Sequence, residues 1–526
     1  MMKKMLCYFL ILLGLISGLA GCAGPDEKGG VVSGDAVGNK NDGAEEPNII
    51  RLAGEDVGLP NPFRHTPGGP GVSKATLLYD TLLEKDENGD IPWLAKSWEM
   101  NADGTLLTFY LHENALWHDG EPLTARDVAF TFAYYKEHPP VSDSLRDGKE
   151  YIVTEAKAID DYAVEITLNS YNNTYLSKVG SVLILPEHIL KNVDDPAAYD
   201  GEDAAVGSGP YKLETYNPAQ GAYRFTAFEQ YYGLRPAVAA IEWVPVSDEV
   251  LAFDNAEIDL VMPPADIVTR YKEKDVYAVE EVPAYRNSYR LMMNMEAVPE
   301  LCDINVRKAI AYAVNRQEII EKIGRGAGMV SSMGYVPSSS SWYNPVIEQY
   351  DSNPEKAKDL LGGKSYSFRL LTDNSARSTK MAELMKIFLS EAGIEVAVES
   401  VESKTRDNAL KNGEYELLLT HAGGMGGDPD YLRRIYGENS TTIRGWSNER
   451  VNELANMQAV EKDAAKRKEM IFELQEIIAD ELPMVMLYST VTYFVYRPGK
   501  YARWMMIRYD HNQRCDFYKL SYVVRN

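Results

Sequence analysis

The chain has 526 residues, 45% hydrophobic and 25% charged, with 78 acidic against 54 basic side chains and a formal charge of −24. That acidity repels phosphate backbones and anionic lipid, which excludes a nucleic-acid binder working through a general electrostatic footprint. The length allows several domain-sized units or fewer, larger lobes, and 34 Tyr against 13 Phe and 7 Trp supply flat apolar area with hydrogen-bonding tips, which suits a wet ligand cleft as well as cores and strands.

Lys3 and Lys4 precede an apolar run over residues 5–19, which ends in Leu19-Ala20-Gly21-Cys22. The run falls short of the ~20 residues that a membrane span needs. Its end resembles the bacterial lipoprotein signal, in which small residues admit the processing peptidase and the cysteine receives a diacylglyceryl group. Residues 1–21 are thus expected to be a signal peptide, with Cys22 as the lipidation site. Residues 23–46 are rich in Gly, Asp, Asn and Glu and lack apolar periodicity. The segment 22–47 is therefore expected to be a lipidated, flexible tether with a reach of roughly 25–30 Å, holding the body at the extracytoplasmic face of a cell membrane. Cys7 leaves with the signal and Cys22 is consumed by lipid. Cys302 and Cys515 remain in an oxidising compartment, where a disulfide between them and two separate thiols are both open.

The body reads as mixed α and β. Asn88-Gly89 is a turn signal joining two short strands. Leu106, Phe109 and Leu111 lie in a Thr- and aromatic-rich strand, and residues 162–168 alternate Val164, Ile166 and Leu168 after an Asp160-Asp161 turn. Thr124 with Asp127 forms a capping box that opens a helix through Tyr135. Asn305 is the expected cap of a helix in which Val306, Ile310, Ala313, Val314 and Ile320 share a face. Asp463 caps another that runs to Ala479 and is closed by Pro483, and residues 484–488 and 491–496 then read as paired strands. Between residues 365 and 420 the pattern is strand, helix, strand, short helix, strand, which predicts a parallel sheet with right-handed crossovers. His421-Ala-Gly-Gly-Met425-Gly-Gly-Asp428-Pro-Asp430 follows the last strand directly. Ligands of open α/β sheets sit outside the carboxyl ends of strands, so this loop is the binding-site candidate that physics alone provides.

Several ordered segments carry a family resemblance. Ile91-Pro92-Trp93-Leu94-Ala95, Asp103-Gly104-Thr105, and Leu116-Trp117-His118-Asp119-Gly120 through Val128 resemble the signature of the peptide and nickel class of solute-binding proteins of ABC importers, family 5. Leu185-Pro186-Glu187-His188, Gly207-Ser208-Gly209-Pro210-Tyr211, Val306-Arg307-Lys308-Ala309, Asn353-Pro354-Glu355-Lys356-Ala357 and Leu482-Pro483-Met484 follow in the family's order. The resemblance implies an α/β, two-lobe, periplasmic-binding-protein-like fold, type II in its large cluster C form, with an extra subdomain in lobe I. By that pattern lobe I is 48–288 with the extra subdomain at about 80–204, lobe II is 289–484, and 485–526 returns to lobe I, with hinges near 285–292 and 482–488. It further implies a monomer without cofactor or catalysis that closes over a peptide or other small-molecule ligand. Its partners would be ABC permease and ATPase subunits or, in a sensing role, a receptor.

Peptide-binding members carry W-x-x-D-Y-x-D-P at the glycine loop, the first Asp pairing with the peptide's amino terminus. Here Met425 stands in place of that Asp and Ala422 in place of the Trp. The candidate ligand residues are His421, Gly424, Met425, Gly426, Asp428 and Arg433. Asp428 is an alternative acid, and Arg433 a two-pronged partner for a ligand carboxylate. Imidazole and thioether in one loop leave a chelated, nickel-type metal open as ligand. Enzyme signatures fail on spacing. Gly363-Lys364-Ser365 lacks the earlier phosphate-loop glycine and reads as a helix C-cap. His112, Glu113 and His118 lack the one-face spacing of a zinc protease, and Ile91 occupies the glycine position of a calcium loop.

Overall fold

The computed structural model describes residues 48–65, 70–86, 89–141, 143–236, 238–422, 427–438, 440–502 and 524–525. The chain divides between Glu46 and Pro47, and everything described belongs to the second unit. Cys22, Gly424, Met425, Gly426 and Cys515 lie outside the described residues. Among the described residues, no helix is long and apolar enough to cross a membrane.

Three sheets organise the body. The first has the order Ile49–Gly54, Ala240–Pro245, Ala222–Ala227, Tyr211–Asn217, parallel in its first pair and antiparallel after it. The second is the antiparallel order Ala95–Met100, Leu106–Leu111, Ala163–Leu168, Val153–Ala158. Its alternation is clean: Leu107, Phe109 and Leu111 are buried with Val164, Ile166 and Leu168 under the helix Ala125–Glu137. That helix opens with the expected capping box, in which Asp127 accepts from the Thr124 N–H and the Thr124 side chain accepts in return from the first turn. The expected short hairpin is present as Leu83–Asp86 against Gly89–Pro92.

The third sheet runs Leu260–Val261, Met484–Tyr496, Ala278–Met293, Leu417–Ala422, Tyr366–Asp373, Ile394–Val401, with Gly328–Val330 added beside Met484–Tyr496. Tyr366–Asp373 is parallel to both Ile394–Val401 and Leu417–Ala422, as the sequence pattern requires. Ser375 caps the intervening helix Ala376–Glu391 by accepting from the Ser378 N–H. Gly362 ends the preceding helix Pro354–Leu361 in the left-handed region at φ 59°, which is the C-cap read from Gly362-Gly363.

Two expectations are corrected. The helix expected to run past Val314 is two: Asp303 caps Ile304–Ala313, Val314 turns extended, and the Asn315 side chain accepts from the Glu318 N–H to start Arg316–Lys322. A second cap inside the run outcompetes apolar continuity, because it satisfies donors that the turn would otherwise leave bare. The strands expected at 484–488 and 491–496 are one continuous strand, Met484–Tyr496. Ser489 does not turn the chain there. It pairs with Ser288, and its hydroxyl bonds to those of Ser288 (2.7 Å) and Ser331 (2.9 Å).

The long antiparallel pair Ala278–Met293 and Met484–Tyr496 serves two cores. Leu291, Val485, Met486 and Leu487 pack in the core around Ala376–Glu391 and Ala464–Glu481. Val282 and Phe494, at the other end of the same strands, pack with Ile50, Leu52, Phe225 and Trp243 of the first sheet. Between the two ends the pairing register shifts from Ala284 to Ser288 and again from Tyr289 to Arg290, irregularities of the kind that let a strand bend.

Candidate functional site

The loop after Leu417–Ala422 emerges at the carboxyl end of the parallel strands. His421, at the strand end, sets its ring edge-on to Tyr289 at 5.9 Å, and Tyr289 stacks on Tyr488 at 5.1 Å. Lost hydration first, and then the Arg406 guanidinium, hold the His421 imidazole below the usual histidine range. Among the described residues no three His, Cys, Asp or Glu side chains gather as a metal site.

Past the loop, the chain spends its charges on itself. Asp428 accepts a two-pronged contact from Arg467 at 2.5 and 2.7 Å. Arg467 lies 5.0 Å over the Trp342 ring and donates to the Gln458 amide oxygen at 3.0 Å. The Gln458 amide nitrogen donates to Asp430 at 2.8 Å. Arg467 is inside because it shares a helix face with Ile471, Leu474 and Ile478 of Ala464–Glu481, the helix that Asp463 caps as expected.

Asp430 precedes the short helix Tyr431–Tyr436 and receives Arg433 through both oxygens at 2.8 Å. Burial pushes the Asp430 carboxyl up, but the Arg433 hydrogen bonds and charge and the Gln458 amide outweigh it, and the net shift is downward. The same contact, with that to Asp147, raises the Arg433 guanidinium. Asp147 is far away in sequence, in a small hairpin of Arg146–Asp147 with Glu150–Tyr151 beside the antiparallel four-stranded sheet. Arg433 Nη2 reaches both its oxygens, at 2.9 and 3.1 Å, and the Tyr175 hydroxyl donates to it at 3.1 Å.

A second contact joins the same two bodies. Asn173 donates its amide to the carbonyls of Gln458, Ala459 and Glu461 at 2.9–3.1 Å, and its backbone N–H also reaches Ala459 at 2.9 Å. These carbonyls lie at the carboxyl end of the helix Glu449–Val460, where they lack intrahelical donors, and that of Gln458 also accepts from Arg467 Nε at 3.0 Å. Lys462 follows, donating to the Ala102 carbonyl at 2.7 Å and lying 4.7 Å over the Tyr171 ring. The result is a polar clasp with charge at both ends.

The structure thus brings Asp428 and Arg433 together in one network and commits both to protein partners. Asp430 closes the loop that the sequence singled out, whereas Asp147, Asn173, Gln458, Lys462 and Arg467 were not singled out there. Only Arg467 had a signal, a charge on the apolar face of a legible helix; the others meet across 285 or more residues of chain or carry no local pattern. Cys302 is an exposed thiol 3.4 Å from the Met295 carbonyl. A surface hollow of about 500 Å³ beside Lys96, Tyr110 and Glu113 lies on the antiparallel four-stranded sheet, on residues outside the network.

Residues 91–442 match the profile of bacterial extracellular solute-binding proteins, family 5 Middle. The chain is 26% identical over 473 residues to the dipeptide-binding protein of Escherichia coli strain K12, covering 82% of this chain and 87% of that one. The fold is similar to that of the ABC transporter substrate-binding protein CtaP of Listeria monocytogenes, with TM-score 0.78, 22% identity, and coverage of 91% of this chain and 98% of that one. It is also similar to NikA of Brucella suis in complex with Fe(III)-EDTA, with TM-score 0.77, 20% identity, and coverage of 91% and 100%. With the family profile spanning most of the body and the two-lobe α/β fold in place, the chain belongs to the bacterial extracellular solute-binding proteins of family 5 and is no enzyme.

Proposed function

We propose that this protein is the lipid-anchored substrate-binding component of an ABC importer, which captures a peptide or peptide-like solute between two lobes and delivers it to the permease. In this reading lobe I comprises 48–288 and 485–526 with the extra subdomain at about 80–204, lobe II is 289–484, and Cys22 carries the lipid. One observation supports the trap above others: the strands Ala278–Met293 and Met484–Tyr496 place their two ends in two different cores, while the polar clasp joins surfaces away from those strands. Such a pair of strands can bend without either core being rebuilt. The peptide class is supported by the dipeptide-binding relative.

The candidate ligand residues stay His421, Gly424, Met425, Gly426, Asp428 and Arg433. With Asp428 held by Arg467 and Met425 in place of the family's acid, a ligand's free amino group finds no ready carboxylate at this loop. The ligand class this favours is therefore a peptide whose amino terminus is blocked or differently recognised. Mass spectrometry of the solute carried through native purification tests the reading. A co-purifying peptide-like compound that causes compaction in X-ray scattering is the expected result. A metal chelate or a non-peptidic solute would replace the peptide class. Loss of the compaction with every solute would refute the trap.

A further inference from the structure

Two loops leave their sheets toward each other. Ala278–Met293 runs from the core that holds Val282 to the core that holds Leu291, and Leu417–Ala422 lies antiparallel to it, so the glycine loop emerges on the side of the first of these cores. The strand Ile49–Gly54 runs the opposite way to Leu417–Ala422. It is parallel to Ala240–Pro245, which the helix Glu249–Asp254 connects to Leu260–Val261. The Asp259 N–H donates to the Arg51 carbonyl at 2.8 Å, which seats Leu260–Val261 beside Ile49–Gly54. A helical crossover of this kind joins parallel strands. Leu260–Val261 and Ala278–Met293 are both antiparallel to Met484–Tyr496, so Ile49–Gly54 points the same way as Ala278–Met293. The segment Gly54-Glu55-Asp56 therefore leaves its strand on the side of the second core. Ligands of α/β sheets gather outside carboxyl strand ends, and this loop is the first sheet's counterpart of the glycine loop.

Asp56 is exposed, yet its carboxylate is held in one orientation. Oδ1 accepts from the Tyr216 hydroxyl at 2.6 Å and from the Gly58 N–H at 3.0 Å. The Tyr223 hydroxyl accepts from the Val57 N–H at 2.9 Å, and its one proton serves either the same Asp56 oxygen at 3.2 Å or the Gly58 carbonyl at 2.9 Å. Tyr216 stacks on Tyr223 at 4.7 Å. The Tyr216 hydroxyl first, and then the Gly58 N–H, hold the carboxyl below its usual range. Oδ2 carries no hydrogen bond among the described residues. The cations nearby turn elsewhere: Lys74, 1% exposed, sets its ammonium 4.8 and 4.7 Å from the rings of Tyr223 and Trp243, and Arg64 donates to the carbonyls of Ala197 and Tyr199. A carboxylate fixed through one oxygen and open at the other accepts from an ammonium or guanidinium with little further ordering cost. Peptide-binding members receive the amino terminus at the glycine loop, so a cation that meets Asp56 belongs to a side chain. We propose that Asp56 is a ligand-binding residue, whose Oδ2 receives a cationic side chain of the captured solute on the side opposite the glycine loop. This assignment rests on the trap reading.

Titration calorimetry of the full-length protein with N-acetylated dipeptides tests it, lysine at either position being compared with norleucine. Acetylation leaves the side chain as the sole cation. Wild type should bind the better lysine peptide roughly tenfold more tightly than its norleucine counterpart. Asp56→Asn keeps an acceptor for Tyr216 and Gly58, and it should erase that preference while leaving the affinity for the norleucine peptide unchanged. Equal behaviour of the two peptides in wild type, absence of binding by both included, would overturn the assignment, and so would a preference that survives Asp56→Asn. X-ray scattering on the same complexes separates the two readings. A lysine preference without compaction would refute the trap and leave the Asp56 contact standing, whereas compaction without the preference would do the reverse.

Discussion

Asp147→Asn removes one charge from the clasp and leaves its shape. Arg433 bonds both Asp147 oxygens at 2.9 and 3.1 Å, with the two side chains 20% and 21% exposed. A charge-assisted contact with this much burial contributes about 1.5–3 kcal/mol. Arg433 keeps Asp430 at 2.8 Å, so the substitution strands no buried charge, and the lower part of that range applies. If the contact exists only while the two bodies are apposed, losing about 1.5 kcal/mol shifts the ligand-free balance toward separation by roughly tenfold. Small-angle scattering should show a larger radius of gyration for ligand-free Asp147→Asn than for wild type. Ligand affinity should fall by a similar factor, because ligand must supply the closure energy that the clasp no longer provides. Unchanged scattering together with affinity within twofold of wild type would show that the pair only offsets its own desolvation, and the clasp would carry no closure energy.

Cys22→Ala should move the protein from washed membranes to the soluble fraction, and full retention would exclude lipid at Cys22 as the hold. The hold of Asp430 on Arg433 and Gln458 should persist at pH 5 and weaken below about pH 4: the folded-state shift of Asp430 is downward, so its contribution is present above the unfolded value and lost as pH falls through the folded one. Thermal unfolding of wild type against Asp430→Asn across pH 3–6 reads this, and a stability difference that does not shrink toward pH 3 would contradict it. Asp80 runs the opposite way, since burial pushes its carboxyl up to about 7 despite hydrogen bonds from Trp93 and Tyr231. Its penalty is absent below the unfolded value near 4, grows as pH rises toward 7 and is full above it. Asp80→Asn should thus stabilise the fold at pH 8, by at most about 4 kcal/mol, and leave it unchanged at pH 4; equal melting shifts at both pH values would contradict this.

Much of the fold was legible because its signals are local. The capping box at Thr124 and Asp127, the cap at Asp463, the left-handed Gly362 and the alternation of Val164, Ile166 and Leu168 each act within a few residues. The parallel unit from Tyr366 to Ala422 followed from periodicity alone. What failed was competition between local signals: Asp303 and Asn315 divided one apolar face into two helices, and Ser489 sits inside one continuous strand where two paired strands were expected. The site was less legible than the fold, because its chemistry is a matter of who neutralises whom. Asp428 and Arg433 read as free charges in sequence, and the partners that absorb them, Arg467 and Asp147, sit 39 and 286 positions away.

The division of labour between clasp and loop has a consequence for specificity. Arg433, Asp147, Asn173 and Lys462 all bond to groups of this chain, so weakening the contacts of Asp147, Asn173 and Lys462 should lower the affinity of every ligand by a common factor. The glycine loop is where ligands should be told apart. Met425→Asp restores the acid that peptide-binding members carry, and a carboxylate facing a peptide's ammonium in a closed cleft is worth about 1.5–3 kcal/mol. Unblocked dipeptides should therefore gain roughly tenfold or more in affinity, while their N-acetylated forms gain nothing, and Asp147→Asn in the same background should reduce both equally. Parallel titration calorimetry of the two peptide forms separates these effects. An equal gain for blocked and unblocked peptides would mean that residue 425 does not face the amino terminus, and the alignment of this loop with its relatives would fall with it.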